Sequence, residues 1–158
     1  MSVLEFCQWV QYSAPLVAMR SSPWLFPVIA TIHLMGLAVI GGAVLLVDLR
    51  LLGCGLRQQP VARLAADAER WLLGGLAVMV STGILLFLCF ATKYYYLTFF
   101  WVKMASLILV VVLTLSIRRR LAMADEAHAS PAWSKLVAVA SLSLWTVVAL
   151  GGRYIGFP

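Results

Sequence analysis

The sequence predicts an all-α integral membrane protein, a four-transmembrane-helix bundle with an N-terminal amphipathic helix lying in the membrane interface. Three observations predict it. Of 158 residues, 63% are hydrophobic and 11% charged, with a mean hydropathy of +0.98; a soluble domain carries about 45–50% apolar and about 25% charged residues. The apolar residues gather into four runs of the roughly 20 residues a helix needs to cross the hydrocarbon core. The basic residues gather in the connections between those runs. Together these exclude a disordered chain, a coiled coil and a secreted disulfide scaffold, and the length gives a single membrane domain.

Residues 1–22 read as the interfacial helix. Val3, Phe6, Cys7, Val10, Ala14 and Val17 share one helical face while Glu5, Gln8 and Tyr12 lie on another, and the pattern is interrupted near Pro15. No basic segment opens the chain, so this stretch does not read as a cleaved signal peptide. The first span covers about 24–47, with Pro23 and Pro27 at its start, where proline is tolerated, and Ser21 or Ser22 as the N-cap. The others cover about 71–90, 99–117 and 135–150. Inside lipid every backbone polar group must be satisfied within its own segment, so these are helices. Gly41-Gly42, Gly74-Gly75 and Gly83 are expected to let the first two spans pack closely, although no GxxxG spacing occurs within a span.

The formal net charge is +6. Arg50, Arg57, Arg63 and Arg70 follow the first span, and Arg118, Arg119, Arg120 and Lys135 follow the third; the other side holds Arg20, Lys93, Lys103 and Arg153. Basic residues that flank spans set orientation and touch anionic headgroups, so the expected partners are membrane lipids rather than nucleic acid. The bias puts the connections after the first and third spans in the cytoplasm and both termini outside, facing the periplasm of a bacterial inner membrane. Trp24, Trp101, Tyr94, Tyr95, Tyr96 and Tyr154 form the outer aromatic belt; Trp71 and Trp133 form the inner one.

Polar residues inside the spans are expensive and therefore informative. His33 is the one histidine in a span, roughly 14 Å below the outer interface at the helical rise. It reads either as an axial ligand of a b-type haem or a quinone contact, or as a histidine bonded to a neighbouring hydroxyl, with Ser81, Thr82, Ser106 and Trp145 at suitable depth. A second axial ligand could come from Met79, Met104 or the His33 of a second protomer. Lys103 either snorkels outward or, with Arg153, meets haem propionates or quinone oxygens. Asp48, at the inner end of the first span, reads either as a structural ion pair with Arg118 or Arg70 at the inner rim or as a proton entry site. Cys7, Cys54 and Cys89 have no metal-ligand spacing and read as small apolar side chains. There is no Ser/His/Asp set, HExxH motif or P-loop, so no catalytic activity by the chain alone is expected.

The stretch PWLFPVIATIHLMGLAVIGGAVLLVDLRLLG, followed by FFWVKMASL and GGRYIGF, resembles an uncharacterised bacterial family of small four-helix membrane proteins, with His33 and Gly36, Asp48-Leu49-Arg50, Lys103 and Gly152-Arg153 as its strongest marks. More distantly it resembles copper-resistance CopD and cytochrome b561-type proteins, though without paired histidines on facing helices. The likeness implies a helical bundle that carries haem. The expected function is that of a small redox-associated subunit that binds haem b or quinone through His33 and passes electrons. The alternative is a haem-free accessory subunit of a larger membrane complex or homo-oligomer.

Overall fold

A computed structural model describes residues 2–54, 60–118 and 131–155. Arg57, Arg119, Arg120, Asp125, Glu126 and His128 lie outside the described residues. Four helices are long and apolar enough to cross a membrane: α3 (Leu25–Leu51), α4 (Val61–Cys89), α6 (Thr98–Val112), whose last turns continue as a π-helix over Leu113–Arg118, and α7 (Pro131–Ile155). Three short helices sit at the end where the long helices α4 and α7 finish: α1 (Val3–Gln11), α2 (Ala14–Ser21) and α5 (Ala91–Tyr96).

The helices outrun the apolar runs that announced them. α4 starts at Val61 because the stretch VARLAADAER is itself amphipathic: Ala68 is buried, and Leu64 and Ala65 pack against the apolar core. α3 continues to Leu51 and stops in a glycine-closed turn. Gly53 has φ +80°, its N–H donates to Arg50 O at 3.1 Å, and Cys54 N–H donates to Leu49 O at 2.9 Å. That is a Schellman turn, which satisfies two of the helix's last carbonyls and needs a residue that tolerates positive φ.

The N-terminal segment is two helices rather than one interrupted one. Ser2 and Glu5 close a capping box on α1, with Ser2 N–H donating to Glu5 Oε2 at 2.8 Å and Glu5 N–H to Ser2 Oγ at 3.2 Å. Pro15 falls in the first turn of α2, where its missing N–H costs nothing. Ser22 Oγ accepts from the N–H groups of Trp24 and Leu25 at 3.4 and 3.2 Å and so eases the entry to α3.

α3 lies antiparallel against α4, and α6 with its π segment lies antiparallel along α7; α3 and α7 join the pairs. Ile40, Val44, Val47, Val110 and Val148 are almost fully buried where they meet, beside Met79 and Trp145. The α3–α4 crossing is made by glycine. A Cβ on Gly75 would lie 2.8 Å from Ile40 Cγ1 and 3.1 Å from Gly36 O, and one on Gly36 would lie 3.3 Å from Gly75 O. Close backbone approach of this kind replaces the hydrophobic drive that helices lack in lipid. Gly41, Gly42 and Gly74 do not take part: they are exposed, and a Cβ on any of them meets nothing within 4 Å. The expectation that all these glycines serve the crossing therefore holds only for Gly75 and Gly83, because the helical phase turns the others outward.

α1 and α2 are tied to the end of α4. Arg20 Nη1 donates to Cys89 O at 3.2 Å, and its guanidinium lies 5.7 Å from the Phe90 ring centroid and 6.0 Å from that of Tyr12. A cation at a helix C-terminus meets carbonyls without intrahelical partners and the negative end of the macrodipole. Gln11 Oε1 accepts from Thr92 N–H at 2.9 Å. Phe26, Phe87, Phe90, Tyr94 and Phe100 pack beneath in edge and stacked contacts with centroids 5.1–6.2 Å apart.

Two outcomes follow for the purified protein in detergent. Gly75→Ala forces Ile40 and the Gly36 backbone to move and costs about 1–3 kcal/mol, whereas Gly74→Ala is neutral or gains up to about 1 kcal/mol of helix propensity; their melting temperatures should shift in opposite directions or differ clearly. Arg20→Ala removes a charged hydrogen bond worth about 1.5–3 kcal/mol, and limited proteolysis should then cut residues 2–22 faster while the four long helices stay protected.

Candidate functional site

His33 stands on α3, one turn before Gly36, facing α4. Its Nδ1 lies 2.9 Å from Thr82 Oγ1. The Thr82 hydroxyl already spends its proton on the Val78 carbonyl at 2.6 Å, so its oxygen accepts from the imidazole and Nδ1 carries the hydrogen. In the neutral imidazole this places the hydrogen on Nδ1 and leaves Nε2 its lone pair. The Met79 backbone also lies beside the ring. Gly83 makes room for the imidazole, since a Cβ there would sit 3.1 Å from His33 Cε1. Gly36, Gly75 and Gly83 thus recur on the two facing helices, and the crossing that joins them brings the histidine onto α4.

Lys103, on α6, runs along the last turn of α7. A Cβ on Gly151 would lie 3.2 Å from Lys103 Cβ, and one on Gly152 would lie 3.3 Å from Nζ. The stem therefore extends toward the α7 C-terminus, snorkelling as its aliphatic length allows and putting the ammonium at the negative end of the helix dipole. The site so far is one half-buried imidazole and one half-buried ammonium, held by helices that lack side chains where the two must pass.

The other sequence candidates separate. Met79 is 3% exposed and belongs to the apolar core at the α3–α4 contact, with its backbone beside His33. Met104 is half-buried next to Lys103, and Arg153 is exposed on the last turn of α7, one residue past the glycine that Nζ meets. Ser81 turns its hydroxyl to Ala77 O at 2.8 Å and is exposed. Asp48 is fully buried near the end of α3, and Arg70 is exposed. Cys7, Cys54 and Cys89 carry free thiols. Among the described residues no group of three or more His, Cys, Asp or Glu side chains comes together to hold a metal ion.

Sequence reasoning named Thr82 among several neighbours but had no reason to prefer it. It missed the pairing of Lys103 with Gly151 and Gly152, whose signal was the Gly-Gly pair in the last turn of α7. It also missed Thr114 and Ser141, small hydroxyls that look unremarkable in a sequence yet are almost fully buried here.

Four long apolar helices, with an imidazole and an ammonium held between them, define a small multi-pass membrane protein. The chain belongs to a family of unknown function (DUF6644), whose profile matches residues 25–158. That match begins at the first residue of α3 and leaves α1 and α2 outside it. No curated protein and no solved structure matches.

The tautomer is directly measurable. In protein labelled with 15N-histidine, His33 should show the neutral form protonated on Nδ1; Thr82→Val removes the acceptor and should turn that single form into a mixture of tautomers.

Proposed function

We propose that the protein is a small redox-associated subunit of a bacterial inner membrane, which takes a b-type haem or a quinone headgroup at His33 and passes electrons. The observation that carries the reading is the Thr82 contact. A histidine whose Nδ1–H is fixed by an oxygen acceptor offers Nε2 in a set direction, the usual arrangement of a metal-ligating imidazole. The same lone pair is suited to accept a hydrogen bond from a quinol hydroxyl. Lys103 adds a cation for a propionate or a ring oxygen, and Arg153 follows on the same helix end.

In this reading His33 would hold the haem iron and Lys103 would meet a propionate. Bound there, the haem would supply one-electron transfer; the protein's part is to orient the imidazole, hold the negative edge and exclude water. Met79 would have to leave the core to ligate, so Met104 or the His33 of a second protomer is the better source of a second ligand. The likeness to CopD and cytochrome b561-type proteins rests on the sequence marks alone. In this reading the four helices form a closed bundle, α1 and α2 lie in the outer interface, and both termini face the periplasm.

A second reading, a haem-free accessory subunit, is favoured by Gly41, Gly42 and Gly74, which leave open ground on exposed helix surface where another membrane helix can approach closely.

The test is a visible spectrum of the detergent-purified protein, oxidised and dithionite-reduced, from cells supplied with haem. A Soret band with sharp reduced α and β bands, lost in His33→Ala and weakened or shifted in Thr82→Val, is the expected result for haem. A colourless protein that retains quinone, and loses it in His33→Ala, selects the quinone form. A colourless protein that retains neither overturns the redox reading, and the accessory reading then stands.

A further inference from the structure

The half of the molecule away from His33 contains polar atoms that the redox reading does not use. Thr114, Ser141 and Trp145 are 7%, 0% and 7% exposed, and Thr114 Oγ1, Ser141 Oγ and Trp145 Nε1 are buried with no hydrogen-bond partner among the described residues. Hydroxyls elsewhere in these helices solve the problem locally. Ser21, Thr31, Ser81, Thr82 and Thr146 each donate to the carbonyl four residues back, at 2.6–2.9 Å. Thr114 and Ser141 do not.

These groups lie at one depth. The Lys103 backbone marks the level of Gly151. Thr114 lies eleven residues further along α6, and Ser141 lies ten residues back along the antiparallel α7. They are therefore about 16 and about 15 Å from the Lys103 level at the helical rise. Eleven residues are close to three whole turns, so Thr114 and Lys103 share the face of α6 that meets α7. Trp145 follows Ser141 by one turn on the same face of α7. Asp48, from α3, is fully buried within about a turn of this depth and brings a carboxyl to the same half of the interior. The π segment begins at Leu113, so Thr114 sits in a widened turn of α6. Such turns collect at functional positions.

Leaving three polar groups dry in an apolar interior carries an uncompensated desolvation cost for each. A ligand that meets them must be small, must accept from an indole N–H, and must both donate to and accept from hydroxyls. Water has that chemistry, and two to four polar partners are what a buried water normally has.

We infer that Thr114, Ser141 and Trp145 enclose an internal water site between α6 and α7, on the side of the molecule where Asp48 is buried. The water bridges the two helices where neither offers the other a direct hydrogen bond. The inference stands apart from the redox reading and survives its failure.

The sign of a stability change tests it. If the site is hydrated, Ser141→Ala and Thr114→Val each strip a partner from a bound water and lower the melting temperature in detergent by about 2–4 °C. The double variant then falls by less than the sum, because both substitutions lose the same water. If the site is dry, either substitution removes an unmet polar group, and the melting temperature holds or rises; that result overturns the inference. Trp145→Phe keeps the ring and deletes the N–H, and provides the second reading. The ultraviolet resonance Raman difference between wild type and Trp145→Phe should show a hydrogen-bonded indole N–H; a free N–H overturns the site even where the other variants fold poorly.

Discussion

The backbone-to-backbone contact of Gly36 with Gly75 sets the distance between α3 and α4, and most of what is particular to the molecule follows from that distance. Two helices with larger residues at the crossing would stand further apart, and His33 would then not reach Thr82. Gly83 extends the same logic up the helix by giving the imidazole a surface without a Cβ. The crossing is thus both the main packing contact of the α3–α4 pair and the means by which one polar side chain is held in a fixed orientation in an apolar setting. Packing and site share their residues, so a substitution that loosens one loosens the other.

The second pair repeats the device with different chemistry. Gly151 and Gly152 open α7 so that the Lys103 stem can lie along it, and the ammonium then lies against Gly152 in the last turn. Thr82 relays its contact to the Val78 carbonyl, and Lys103 finishes at the end of α7.

The four long helices were legible because apolar runs of spanning length have few other outcomes, and His33 was legible because an ionisable residue in such a run is rare. The extensions were not. VARLAADAER carries too many charges to look like part of a span, yet its alanines and leucine bury one face. The break at Tyr12–Ser13 was masked by a face that runs on through Pro15. Which glycines pack could not be read either, since Gly74 and Gly75 are equivalent in composition and differ by the 100° that one residue turns along a helix. The full burial of Asp48 was not legible either: α3 runs a further turn and α4 rises beside it, so the carboxyl is covered. Thr114 and Ser141 gave no signal, because a hydroxyl normally bonds its own helix and nothing in the sequence announces one that does not.

Arg20 and Lys103 stand at the same end of the molecule, each against the C-terminal turn of a different long helix. Both α4 and α7 therefore have the negative end of their dipole matched by a side-chain cation that the fold already holds in place. An electric field across a membrane acts on charges in proportion to how far they can travel along it. Arg20 is held by a carbonyl and two aromatic rings, and Lys103 lies along the bare backbone of two glycines. Fixed cations at one end of two parallel-pointing helices give the molecule a standing electrical polarity.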